Sequence, residues 1–154
     1  MYRRTAVAIS FFFALNSYAF EGFDKESQKV SQNIGCLSPR VIGADRPLYT
    51  CVGGASETVK FFINGDASRT VVNVKFIWND WTKNTGYGTH ADKSLARAWA
   101  ASLGTLYAPH QVEEVLGAFN GKRNVTIENE NYTIVYTYSK GPAMDERMMV
   151  VRKK

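Results

Sequence analysis

Cysteine and histidine are scarce in this chain, with two of each in 154 residues. Cys36 and Cys51 form no Cys-x-x-Cys pattern, which removes the usual redox motif and the thiolate-rich zinc sites. A zinc site needs roughly three or four converging ligands. Around His90 and His110 the sequence offers Asp80, Asp92 and Glu113, with no His-Glu-x-x-His spacing, so no metal is assigned. Gly-x-Ser-x-Gly is also missing, and Gly53-Gly54-Ala55-Ser56 reads as a turn rather than a nucleophile elbow. The acidic pairs Glu113-Glu114 and Asp145-Glu146 are immediate neighbours, a spacing at which side chains diverge on a helix. No catalytic residue and no cofactor are therefore assigned. Internal repeats and low-complexity segments are absent, as is any apolar stretch near the ~20 residues that span a bilayer as a helix.

What the chain does contain starts at its N-terminus. Arg3 and Arg4 precede an almost wholly apolar run from Thr5 to Leu15, and Ser17 and Ala19 put small residues at positions −3 and −1 of a cut before Phe20. That order predicts a cleaved secretory signal at residues 1–19. No cysteine follows the cut, so the lipoprotein route is not indicated. The short head and core suit bacterial export, which places the mature chain in the periplasm or, by a eukaryotic route, outside the cell. Residues 20–154 are then expected to form one domain with no membrane span. The formal charge falls from +5 to +3 when Arg3 and Arg4 leave, and part of the remainder is the terminal Arg152-Lys153-Lys154. Such a mild excess does not indicate nucleic-acid binding. Export also changes the reading of the cysteines: in an oxidising compartment Cys36 and Cys51 are expected to join in a disulfide.

Beyond the leader, the spacing predicts an amphipathic helix over 20–35, a loop over 37–47 and strands at 48–52, 57–63 and 70–78. Asn64-Gly65-Asp66 turns the second of these strands into the third. On the third, Val72, Val74, Phe76 and Trp78 are expected on one face, with Val71, Asn73, Lys75 and Ile77 on the other. Leu95, Trp99, Leu103 and Leu106 recur at helical spacing, and Pro109 is expected in the first turn of a second helix ending at Asn120-Gly121. Strands follow at 124–128, 132–138 and 147–152, the last being a candidate free edge. Tyr132, Tyr136 and Tyr138 share a face with Ile134, which favours core packing. The expected fold is α+β: an antiparallel sheet of about five to six strands, a central helix pair on one face and an N-terminal helix.

The segment from Trp78 to His90 carries the candidate site. Aromatic faces stack on sugar rings or apolar side chains, and the interleaved amides can hydrogen-bond hydroxyls. Trp78, Asp80, Trp81, Tyr87 and His90 are accordingly the candidate binding residues, against the alternative that the tryptophans plug the core. Asn124-Val125-Thr126 and Asn131-Tyr132-Thr133 match the glycosylation sequon, which matters only in a eukaryotic host. Together these features suggest an exported, non-catalytic envelope protein binding an envelope protein or cell-wall glycan, as inhibitor, immunity or accessory factor. The alternatives are a small periplasmic enzyme acting on glycan or peptide through Asp80 or His90, and a structural or assembly component.

Overall fold

Strand-forming residues alternate through most of the chain, and the structure, a computed structural model describing residues 19–154, gathers them into a seven-stranded antiparallel sheet. The expected leader, residues 1–19, lies outside the described residues except for Ala19. In chain order the elements are α1 (Phe23–Ile34), β1 (Arg40–Ile42), β2 (Leu48–Gly53), β3 (Val59–Gly65), β4 (Val71–Trp81), α2 (Lys93–Tyr107), α3 (Val112–Asn120), β5 (Val125–Glu128), β6 (Tyr132–Ser139) and β7 (Met144–Lys153). Across the sheet the order is β1-β2-β3-β4-β7-β6-β5.

The α+β class and the packed helix pair agree with the sequence; the strand count does not. Two-residue periodicity cannot reveal β1, whose Arg40, Val41 and Ile42 are all exposed and which lies in the expected loop. β7 corrects a second expectation. It is no free edge but the strand between β4 and β6, leaving β1 and β5 at the margins. On β4 the expected faces break at the start, because a register shift at Asn64/Gly65 buries Val71 and exposes Val72. Beyond that bulge Val74, Phe76 and Trp78 face the core as expected. Pro109 also stands outside α3: Ala108 to Gln111 form a closed turn, with Gln111 N–H donating to the Ala108 carbonyl, and the helix starts at Val112.

Helices cover one face of the sheet. Cys51, Phe61, Phe76, Met149 and Tyr136 form one continuous row from β2 to β6, and Trp99, Leu103, Val115 and Phe119 from α2 and α3 join them in the core. Gly53 lets α2 come close, since a Cβ there would meet the Trp99 ring at 2.7 Å. α1 is held to the sheet by the Cys36–Cys51 disulfide, whose Cα atoms are 6.2 Å apart. It is also tied to α2, where Tyr107 Oη donates to the fully buried Glu26 carboxylate at 2.6 Å. No helix among the described residues is long and apolar enough to cross a membrane.

The opposite face carries no helix among the described residues. Register places Phe62, Lys75, Val150 and Val135 in one row across β3, β4, β7 and β6. Lys60, Ile77, Met148 and Thr137 form the next. Apart from Val150, these side chains are only partly buried.

Candidate functional site

Alternation along β4 carries the core face one residue past its apolar run, so Asp80 follows Trp78 into the helix-covered side and is 1% exposed. A carboxylate so buried needs partners. The segment 82–92 supplies one by doubling back. His90 N–H donates to the Trp81 carbonyl at 2.7 Å, and Trp78 Nε1 donates to the Ala91 carbonyl at 3.0 Å. Asp92 then clamps the segment to the β2–β3 turn. Its Oδ2 accepts from Ser56 N–H at 3.2 Å, Thr58 N–H at 3.3 Å and Thr58 Oγ1 at 2.9 Å. The turn admits that carboxylate because Gly54, at φ +91°, has no Cβ in its way. His90 is thereby returned over the strand end, and its Nδ1 lies 2.6 Å from Asp80 Oδ1. This contact leaves Nε2 of the half-exposed ring without a hydrogen-bond partner among the described residues.

Arg147 of β7 supplies the second partner. Its Nε donates to Asp80 Oδ2 at 3.3 Å, and Nη1 donates to the carbonyls of Phe119 and Gly121 and to Tyr136 Oη. Trp78 and Tyr138 lie opposite Arg147 on the flanking strands, with ring centres 5.6 and 5.3 Å from its guanidinium carbon. Burial opposes the charge, but hydrogen bonding to Tyr136 and Asp80 more than offsets it and holds the Arg147 pKa above its usual value. A second buried carboxylate, Asp145, sits opposite Asp80 in the β4–β7 ladder. It accepts from Tyr138 Oη at 2.6 Å and Gly141 N–H at 3.3 Å. That bond to Asp145 is the main cause of the raised Tyr138 pKa.

A cleft of about 240 Å³ opens here, lined by Trp78, Asp80, His90, Lys93, Phe119, Asn120, Lys122 and Arg147. A larger hollow of about 420 Å³ lies elsewhere, between residues 107–111 and 128–132, and gathers none of the predicted site residues. Among the described residues no group of three or more metal-capable side chains occurs.

The five candidate binding residues divide between the two sides of β4. Trp78, Asp80 and His90 line the cleft, with Trp78 mostly buried as a wall stacked on Phe119. Trp81 falls on the open-face side of the strand and stacks on Tyr87, with ring centres 4.7 Å apart and planes within 9°. Lys93, Lys122 and Arg147 escaped the sequence reading because three different elements bring them in. For Arg147 a signal existed: Met149 and Val151 set the core phase of β7, and counting back by two places an arginine, then Asp145, on the buried side. Such residues require counter-charges from elsewhere in the fold. No family model matches this chain, and no curated protein or solved structure matches it.

Proposed function

We propose that this is an exported, non-catalytic protein of the cell envelope that binds another protein through the open face of its sheet. The supporting observation is that uncovered face, where Phe62, Ile77, Met148 and Val135 stand only partly buried beside Lys60 and Lys75. Apolar area not covered by the protein's own helices gains by burial against a partner. The two lysines, against Glu146 alone among acidic side chains in the neighbouring rows of β4 and β7, select an apolar partner surface bordered by carboxylates. The Trp81–Tyr87 stack extends the same side with a rigid aromatic end.

A photo-crosslinking residue at position 62, compared with one at the exposed helix position Arg97, tests this reading in envelope extract. Position 62 should capture a defined protein, and the purified partner should bind the wild type but not Phe62→Asp/Ile77→Asp. Lys60→Glu/Lys75→Glu should weaken binding and reverse its salt dependence. Equal capture from both positions, or binding by the double aspartate variant, would sink the proposal.

A second reading, an envelope enzyme acting on glycan or peptide, draws on the placement of His90 and Asp80 in a concave cleft beside Arg147. The lining contains no serine, threonine or cysteine, so His90 would have to activate water directly. Cell-wall hydrolysis lost on His90→Ala would favour this second reading.

A further inference from the structure

The open face leaves the cleft on the other side of β4 without a role. We propose that this cleft is a phosphate-monoester site, in which Lys93, Lys122 and Arg147 bind the anionic oxygens. The inference is independent of the open-face reading.

Three features support it. Neither Lys93 nor Lys122 forms an ion pair with any described residue, although both line the cleft. Arg147 is anchored through Nε and Nη1, while Nη2 has no hydrogen-bond partner among the described residues. The guanidinium is thus rigidly held with one terminal nitrogen unspent, so little ordering entropy remains to be lost on binding. Asn120 adds a carboxamide to the rim.

The number and spread of cationic donors decide the ligand class. Asp80 is the acidic residue of the lining and is already bonded to Arg147 and His90, while Asp145 behind it is satisfied by Tyr138 and Gly141 and does not line the cleft. The lining thus carries Lys93, Lys122 and Arg147 against Asp80, and Asp145 behind it leaves a net excess of one positive charge; three cationic side chains around one cleft offer more donors than the two oxygens of a carboxylate can use, which favours a phosphate monoester. The donors also approach from the α2 start, the α3 end and β7, a spread that suits three phosphate oxygens rather than two in a plane. At about 240 Å³ the cleft has room for the phosphate and part of the group carrying it.

The test is an NMR titration of the purified protein with inorganic phosphate, glycerol phosphate and acetate, followed by sedimentation with vesicles containing phosphatidic acid or only neutral lipid. Saturable shifts should cluster at Lys93, Asn120, Lys122 and the Arg147 Nε–H group. Glycerol phosphate should bind at least about tenfold tighter than acetate, and Lys93→Ala/Lys122→Ala should weaken it by about tenfold or more while leaving the melting temperature unchanged. Sedimentation only with phosphatidic acid would identify the carrier as a lipid, and no sedimentation with clear glycerol phosphate binding would identify it as soluble. Either supports the site. Scattered non-saturating shifts, equal affinity for acetate, or undiminished binding by the double variant would overturn it.

Discussion

Replacing Asp80 by alanine should separate the part of the cleft that supports the fold from the part that faces solvent. Asp80 and the Arg147 side chain are both largely buried, at 2% and 9% side-chain exposure. Breaking a buried pair by removing one partner typically costs about 3–5 kcal/mol, because the remaining charge stays desolvated. Arg147 would keep its Nη1 acceptors on Phe119, Gly121 and Tyr136, so the expected loss lies near the lower end, about 3 kcal/mol. At this chain length that corresponds to a fall in Tm of roughly 10 °C. His90→Ala removes the other bond to the same carboxylate, but the imidazole is 48% exposed and its loss should cost about 1 kcal/mol or less. In the Asp80→Ala background the histidine substitution should then add nothing, since its partner is gone. Urea denaturation of the four proteins, read by tryptophan fluorescence, measures all three quantities. An Asp80→Ala loss below about 1 kcal/mol, or a His90→Ala loss equal to it, would refute the assignment of Arg147 as the group that needs Asp80.

Other expectations follow from the same packing. Reducing Cys36–Cys51, or replacing both cysteines by serine, should lower stability by roughly 3 kcal/mol for a sequence separation of 15, measurable as a shift in urea midpoint. Gly54→Ala combines a left-handed backbone at φ +91° with a Cβ directed onto the Asp92 carboxylate, and should cost about 2 kcal/mol. Its signature is faster amide exchange at Ser56 and Thr58, whose N–H groups Asp92 accepts. Alkaline pH should unfold the protein. Burial first, then the negative charge of Glu26, raises the Tyr107 pKa well above 10, and Tyr136 is raised chiefly by burial. In the unfolded chain these phenols ionise near pH ~10. Stability is therefore undiminished below that pH and falls as pH rises above it, with ionisation of Tyr107 and Tyr136 appearing together with loss of structure. Ionisation of Tyr107 or Tyr136 well before unfolding, read as the difference in tyrosinate absorbance from the Tyr107→Phe and Tyr136→Phe variants, would contradict this.

The elements that showed themselves in the sequence are those whose side chains alternate between two strongly different environments. Val74, Phe76 and Trp78 on β4, and Tyr132, Ile134 and Tyr136 on β6, carry that contrast and were placed on the correct faces. β1 carries none, having no buried face, so nothing in its residues distinguished it from loop. The end of β4 was missed for the converse reason. Asn79, Asp80 and Trp81 look like loop residues, yet Asp80 is in strand because Arg147 and His90 make its burial tolerable. Half of the cleft was legible in the segment 78–90, because chain neighbours bring Asp80 and His90 together. The rest depends on α2, the end of α3 and β7 closing around β4, which brings together residues far apart in sequence and which no local pattern encodes.

The position of β7 has a consequence for how the molecule assembles. Strands β1 to β4 can pair in order as a meander, and β5 with β6 as a hairpin, but the two sub-sheets are joined only through the strand that comes after both. Until that segment docks, β4 and β6 each present an unpaired edge, and the Asp80 carboxylate has no arginine beside it. Closing the sheet and giving Asp80 its arginine are thus the same step, the long-range pairing of β7 with β4. A chain interrupted before Met144 would hold two sticky half-sheets instead of a smaller version of the fold, and quality control should recognise it as misfolded.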